Sequence, residues 1–525
     1  MERKPEEPLH GALVQSKEVP GELQLWDLPM NVLCDIISRL ALRDAIRTSV
    51  LSREWRHVWR DHTNLTFNRY SLRRYRDKTR TRVGFQFPIA EHDFIARADA
   101  VLQQHSGTGI DRMEVMFTLH NKNADHVDRW VEFAVTSKAK ELVLRLSEIT
   151  RNFLYRNMRY ALPADRVEPY SFPCHLFHGR NGSYLRRLHL FSVSVNVPGD
   201  FNGFGSLKKL SMVDVDITEE HVEHLLSTCN VLEFLEIAYC RKLTSLRIHP
   251  LSQLKHLQVE NCVFLKQIEM NCGLSTLEYS GPSVPLKFAT TSGLRSVCVK
   301  LLTNDIAVDY ITTGFPSTLP HLETLSLQIA GRERATLPVR LVKFTHLRHL
   351  ELELIIFENG NKERNIDILD YACLLDAAPF LETLWLDMWM LCDHQPYRPE
   401  HGELRTLTSP QHAHLRSVYI SGFFGRKDQV ELALHILRSS AGLEKMEIDP
   451  SVRIEPACGS SISIDRYLDG CKVAMKCIAG ADHKNVVEVV GSSELDSPEL
   501  DVTQNDSSHA SLVIQPRGCV KFGRM

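Results

Sequence analysis

An apolar triplet of the form L-x-x-L-x-L recurs along this chain from Leu185 onward, and it constrains the possible folds more than any other feature. It is found at Leu185-Leu188-Leu190, Leu207-Leu210-Met212, Leu232-Leu235-Ile237, Leu254-Leu257-Val259, Leu274-Leu277-Tyr279, Leu294-Val297-Val299, Leu322-Leu325-Leu327, Leu347-Leu350-Leu352, Leu381-Leu384-Leu386, Leu415-Val418-Ile420 and Leu443-Met446-Ile448. Residues two apart on a strand share a face, so the last two members of each triplet point one way and the residue between them the other. One such unit has apolar surface that it cannot bury alone. Eleven in succession predict a stack in which each unit covers its neighbours, one continuous curved solenoid rather than separate globules.

The clearest repetition has a period of 22 residues: Leu232, Leu235, Ile237, Cys240, Leu243, Leu246 and Ile248 return as Leu254, Leu257, Val259, Cys262, Leu265, Ile268 and Met270. This is the period and pattern of leucine-rich repeats, with a cysteine at the Asn/Cys position, although the next leucine comes one residue later than the usual signature. The set Leu243-Leu246-Ile248, offset by 11 from the first, reads as the opposite wall of the same coil. Longer coils place a helix there. Leu226, Leu375 and Leu437 each stand six residues before a triplet, in LLSTCNVLEFLEI, LLDAAPFLETLWL and ILRSSAGLEKMEI, so helix, short turn and strand form a shared unit. In the last copy Val430, Leu434 and Leu437 make the apolar helix face, and Asp428 with Glu431 is expected to form a capping box. The fold class is therefore α/β, and periods from 20 to 34 residues predict an irregular curve with loops on one rim. Target binding would come from positions between the apolar ones on the concave strands: Arg187, His189, Phe234, Glu236, His256, Gln258, His349 and Trp385. Trp385 and Trp389 are the expected anchors, because indoles are enriched at interface hot spots.

The 525 residues carry 62 Lys+Arg against 65 Asp+Glu, a formal net charge of −3. That balance removes the simple case for a protein that coats nucleic acid or anionic lipid along its whole length. One basic stretch stands out: RYSLRRYRDKTRTR, Arg69 to Arg82, has seven positive residues against Asp77. It reads first as a solvated loop, then as an import signal, and last as a nucleic-acid contact, since nothing nearby resembles a groove-reading motif. No apolar run reaches the roughly 18 residues that span a bilayer, and the N-terminus does not read as a secretory signal. Thirteen cysteines without a C-x-x-C pair point to reduced thiols in the cytoplasm and/or nucleus, with Cys229, Cys240 and Cys262 at core positions. Neither a metal nor a cofactor is expected, because the closely spaced pairs His221/His224 and His346/His349 lack converging partners. There is no G-x-G-x-x-G after a strand, no P-loop, no G-x-S-x-G and no H-E-x-x-H, so no catalytic residue is assigned.

Ahead of the repeats, Leu25 to Trp59 predicts three short helices. In the first, Asp27 is a cap, Pro29 suits the first turn, and Val32, Leu33, Ile36, Ile37 and Leu40 make one broad apolar face. Asp44 caps the second and Ser52 the third, which carries Trp55, Val58 and Trp59. So small a module cannot bury all this apolar surface within itself, and the leftover face must pack on something. LPMNVLCDIISRLALRDAIRTSVLSREWRHVW, Leu28 to Trp59, resembles an F-box, the module by which substrate receptors dock on the Skp adaptor of Skp–cullin–F-box ubiquitin ligases. RDAIRTSVLSREWRHVW is similar to the version in a large plant family that carries leucine-rich repeats. The chain departs from the family at Met30 and Asn31, where an acidic residue is usual, and at Ala41, where a proline is usual. The resemblance implies that Leu28, Pro29, Leu33, Ile36, Ile37, Leu40, Val50, Leu51 and Trp55 form the docking face or its immediate support. It also implies a Skp-type adaptor, and through it a cullin, as partners.

HLRSVYISGFFGRKDQVELALHILRSSAGLEKMEI, His414 to Ile448, resembles the FBD region of the same family. The expected organisation is a disordered N-terminus (1–22), an F-box (23–65), a basic linker and start of the array (66–140), leucine-rich repeats (141–413), an FBD-like terminal region (414–478) and a mobile tail (479–525). The fold so implied is a three-helix F-box followed by an irregular leucine-rich-repeat solenoid closed by an FBD-like coil. The function so implied is substrate recognition for a ubiquitin ligase, with a target protein on the solenoid and no membrane or nucleic-acid partner. A scaffold without ligase turnover needs the same two surfaces.

Overall fold

The structure, a computed structural model, describes residues 28–51, 55–72, 89–147, 168–282, 284–289, 293–301, 307–331, 341–357, 366–391, 394–408, 411–451 and 464–491. Among these residues fifteen strands form one parallel sheet whose order follows the chain. They are Asn64–Asn68, Arg112–Met116, Glu141–Arg145, Arg187–Phe191, Lys209–Val213, Phe234–Ala238, His256–Glu260, Thr276–Gly281, Ser296–Leu301, Thr324–Gly331, His349–Phe357, Thr383–Leu391, Ser417–Ser421, Lys445–Asp449 and Val487–Val489. Equivalent residues are in register: Leu235 faces Leu257, and Leu257 faces Leu277. Every residue of the eleven triplets is buried, and they belong to one continuous core.

The sheet begins three coils before the first regular triplet. His62-Leu65-Phe67, Ile110-Met113-Val115 and Ala139-Leu142-Leu144 have the triplet spacing and are all buried. Their first positions hold histidine, isoleucine and alanine in place of leucine, which hides them from a search for leucines. At the other end the fold runs further than the tail's composition implies. Residues 479–491 continue it, and Val487–Val489 pairs with Lys445–Asp449 as the last strand. The remainder of the expected tail, the first 22 residues and most of the basic stretch, from Arg73 on, lie outside the described residues.

Coil length decides what forms the opposite wall. The coils that start at Phe234, His256 and Thr276 are 22, 20 and 20 residues long and return through the strands Ser245–Ile248, Gln267–Met270 and Leu286–Phe288, a small sheet of their own. The coils that start at Lys209, Ser296 and Ser417 are 25, 28 and 28 residues long and return through the helices Glu219–Ser227, Ala307–Thr318 and Lys427–Ser439. A helix advances about 1.5 Å per residue against about 3.3 Å for a strand, so the same return distance needs more chain. The chain leaves the sheet by a repeated left-handed step. Ser192, Asp214, Tyr239 and Asn261, each directly after a strand, have φ of 49° to 57°. Each donates its backbone N–H to the next coil, for example Tyr239 to the Glu260 carbonyl at 2.7 Å. Gly422 holds the same place after Ser417–Ser421 at φ 65°, where a Cβ would lie 1.9 Å from the Met388 carbonyl oxygen.

The helix Lys427–Ser439 is capped differently from the expected Asp428/Glu431 box. Gln429 Oε1 accepts from the backbone N–H groups of Phe424 and Arg426 at 3.0 and 3.1 Å. Asp428 and Glu431 instead turn toward the preceding coil: Asp428 Oδ2 accepts from the Ile368 N–H at 2.8 Å, and Glu431 holds Arg405. Donors of the neighbouring coil thus claim Asp428 Oδ2 and the Glu431 carboxylate, while Asp428 Oδ1 accepts from the Gln429 N–H at 3.1 Å.

Candidate interaction surfaces

The N-terminal module consists of α1 (Met30–Ser38), α2 (Leu42–Arg47) and α3 (Trp55–Val58). The single apolar face expected on α1 is two stripes. Leu33 and Ile37, one turn apart, are 3% and 1% exposed and pack with Leu42, Ala45, Trp55 and Trp59. Val32, Ile36 and Leu40 lie on the adjacent stripe and stay partly or wholly in solvent. Of the nine residues expected at the docking face, Leu33, Ile37 and Trp55 are therefore core, Leu28 and Ile36 are half-buried, and Pro29, Leu40, Val50 and Leu51 are exposed. Val50 and Leu51 are the most exposed, at 84% and 67%. The caps expected at Asp27 and Ser52 fall outside the described residues; α2 starts at Leu42 after Ala41, with Asp44 in its first turn.

The module is fused to the array. Its core is continuous with Leu65 and Phe67 of the first strand. His62 Nδ1 accepts from the Asn64 N–H at 3.1 Å, which assigns the proton to Nε2, and Nε2 donates to the Leu40 carbonyl at 3.0 Å. His105 repeats the device one coil on: Nδ1 accepts from the Gly107 N–H and Nε2 donates to the His62 carbonyl at 2.9 Å. Burial lowers the pKa of both rings, as such neutral tautomers require.

The outward face of the long sheet carries ladders of polar side chains, one residue per strand. In its N-terminal half Glu141, 5% exposed, accepts from Arg112 Nη1 and Arg187 Nε, each at 2.7 Å. Lys209 Nζ lies 4.2 Å above the Phe234 ring, which stacks on His256 with centroids 4.7 Å apart. Glu236 accepts from Ser211 Oγ at 2.5 Å, and Gln258 stands beside it in register. In the C-terminal half Glu351 is in register with Trp385, and Trp385 with Tyr419; the two rings are 5.9 Å apart. Tyr419 OH donates to Asp449 Oδ2 at 2.9 Å, and Asp387 accepts from Ser421. His349 is exposed, between Thr324 and Thr383 in register. The structure thus places Arg187, His189, Phe234, Glu236, His256, Gln258, His349 and Trp385 on one face. Trp389 shares their parity yet is 7% exposed, so its indole is not available as an anchor in this conformation. The sequence reading passed over Glu141 and Arg112; their signal was register with Arg187 across strands whose triplets it had not found.

His189 ties this face to pH. Burial first, then Lys209, lowers its pKa to about 4. An unfolded histidine takes a proton near pH 6.5, roughly, while the folded ring stays neutral. The stability this contributes is fully present above about 6.5 and is lost as pH falls toward about 4. Thermal melts at a series of pH values should show His189→Gln losing less stability on acidification than the parent; parallel curves would remove His189 from the account.

Cys229, Cys240 and Cys262 are buried, and burial pushes the Cys229 thiol up to about 12, the state of a packed, protonated thiol rather than a reactive one. The pairs His221/His224 and His346/His349 belong to no group of three metal donors among the described residues. Two such groups do occur elsewhere: Glu351, Glu353 and Asp387 on the sheet, and Asp376, His412 and His435 between coils. Their members are spread over 36 and 59 residues of sequence, so spacing alone does not reveal them.

Comparison with known proteins bears on both parts of the chain. Residues 101–488, close to three quarters of the chain, match the family described as At1g61320/AtMIF1, LRR domain, and residues 25–67 match the F-box domain. Among relatives, the F-box/FBD/LRR-repeat protein At1g13570 of Arabidopsis thaliana is 26% identical over 435 residues, 81% of this chain and 91% of that one. The putative F-box/LRR-repeat protein At5g54820 of the same plant is 25% identical over 474 residues, 81% of this chain and 90% of its own. A helical module fused to an α/β array of leucine triplets, matched over both parts, means that the chain belongs to the plant F-box/LRR-repeat family.

Proposed function

We propose that this chain is the substrate-recognition subunit of a Skp–cullin–F-box type ubiquitin ligase. The exposed apolar surface of the helical module docks a Skp-type adaptor, and the outward face of the sheet holds a protein target. The observation that supports this most is where large apolar side chains meet solvent. Of the eleven that are exposed among the described residues, Met30, Val32, Leu40, Val50 and Leu51 lie within one short segment. A cluster of that kind on a soluble chain marks an interaction site. The sheet face offers charged ladders and the Trp385–Tyr419 pair, a surface suited to a folded or extended protein segment with complementary charge. Nothing here needs to do chemistry: the subunit acts by raising the target's effective concentration beside a ubiquitin-loaded enzyme. The coil Ser417–Asp449 and the elements after it serve as the FBD-like closure of the array, and the free thiols fit a cytoplasmic or nuclear setting.

Val50→Asp and Leu51→Asp test the docking surface. Burying either side chain on association is worth on the order of 1.5 kcal/mol or more, so each variant should bind the adaptor about tenfold or more weakly. Melting temperature should not change, because neither side chain packs in the core. Unaltered co-purification of both variants with a Skp-type adaptor would remove the proposed face. A non-degradative scaffold is the second reading, and ubiquitin transfer to a captured target in a reconstituted complex separates the two: adaptor binding without transfer favours the scaffold.

A further inference from the structure

We propose that Asp376, His412 and His435 form a binding site for a divalent first-row transition ion, zinc foremost, which pins the helix Lys427–Ser439 to the coil before it. One donor atom from each of the three residues lies within 4.8 Å of those from the other two. Asp376 ends the helix Ala372–Asp376, His412 sits in the turn before the strand Ser417–Ser421, and His435 lies on the helix Lys427–Ser439. The two imidazoles are 4% and 7% exposed, and neither Nε2 atom has a hydrogen-bond partner. A buried ring nitrogen left unpaired is costly, and native interiors rarely tolerate one, let alone two converging on a carboxylate. His412 Nε2 is 3.6 Å from Asp376 Oδ1, too long for a hydrogen bond. It is close to the roughly 3.4 Å between neighbouring ligands of a tetrahedral ion with bonds of about 2.0 to 2.1 Å.

The remaining spacing closes by small side-chain rotations, since the backbone is already tied: the His412 N–H donates to the Ser439 carbonyl at 2.8 Å. Two imidazoles and one carboxylate suit zinc among available divalent ions and leave a position open. A cavity of about 100 Å³, lined by His435, Arg405, Arg438 and Ser439 among others, opens beside His435 and has room for water. Nearby positive charge does not forbid the ion, because Arg405 is already paired with Asp367 and Glu431 and Arg438 is exposed. The helix face explains the location. Asp428, Glu431 and His435 fall at i, i+3 and i+7, and the first two already fasten this helix to the preceding coil through Ile368 and Arg405.

The full chain, stripped with a chelator and titrated with Co²⁺, is expected to bind one equivalent. The complex should show the d–d absorption of a four- or five-coordinate ion without thiolate charge-transfer bands, and Zn²⁺ should displace the cobalt. His412→Gln and His435→Gln should each weaken uptake on the order of a hundredfold, and Asp376→Asn should do so as a third, sterically neutral variant. Circular dichroism and adaptor binding of each variant show whether its fold persists. Three results overturn the site: no uptake by the parent, uptake marked by thiolate bands from the cysteines, or uptake unchanged in the three folded variants.

Discussion

Arg405→Ala is expected to destabilise the C-terminal coils by about 3 kcal/mol, although its side chain is nearly half exposed. The effect comes from what it leaves behind. Arg405 Nε and Nη2 donate to Glu431 Oε2 at 2.8 and 2.5 Å, and Nη1 and Nη2 donate to the Asp367 carboxylate at 2.6 and 3.0 Å. The Glu431 side chain has no solvent exposure. Without the guanidinium the buried Glu431 carboxylate keeps the backbone N–H of residue 405, at 2.8 Å from Oε1, but loses its counter-charge and both donors to Oε2, and breaking one side of a buried pair costs about 3 to 5 kcal/mol. The lower end applies because water screens the arginine. In a stack of coils such a loss stays near the affected interface rather than spreading over the array. Hydrogen exchange should therefore show lost protection in Ser417–Ser421 and Lys427–Ser439 while Phe234–Ala238 is unchanged. Glu431→Gln combined with Arg405→Met removes both charges and should recover much of the stability. A cost below about 1 kcal/mol for Arg405→Ala would mean that the backbone N–H of residue 405, with water, suffices for Glu431.

The interior of this protein was far more legible than its surfaces. Wherever leucine, valine or isoleucine fills L-x-x-L-x-L, periodicity alone identifies strand, face and burial, because only one register hides the apolar set. It fails at His62 and Ala139, where a polar or small first residue is tolerated by a local hydrogen bond or tight packing that one sequence does not display, and at Ile110-Met113-Val115, which contains no leucine. The proposed docking face was legible as composition but not as geometry. Five apolar residues on α1 fit one broad stripe, and only packing against Trp55 and Trp59 divides them into a core pair, Leu33 and Ile37, and an outward stripe. Asp428 and Glu431 show the same limit. Their spacing is that of a capping box, yet the donors that claim them, Ile368 and Arg405, lie 60 and 26 residues away in sequence.

Ile37→Asp is expected to abolish adaptor binding by unfolding the helical module, at a cost on the order of 4 kcal/mol or more. Ile37 is 1% exposed in the core shared with Leu33 and Trp55, an apolar surrounding in which a carboxylate would lose its water. Val50→Asp also reduces binding, but from the surface, so binding assays alone do not distinguish the two. The fused core does. His62 Nε2 donates to the Leu40 carbonyl at the end of α1, and Leu65 and Phe67 continue the module's core into the first strand. Loss of α1 therefore frees His62 from its partner and uncovers the end of the sheet. Hydrogen exchange in Asn64–Asn68 should rise in Ile37→Asp and stay at the parental level in Val50→Asp. If the strand keeps its protection in Ile37→Asp, the module folds as an independent unit, and the continuous core between module and array contributes little to either.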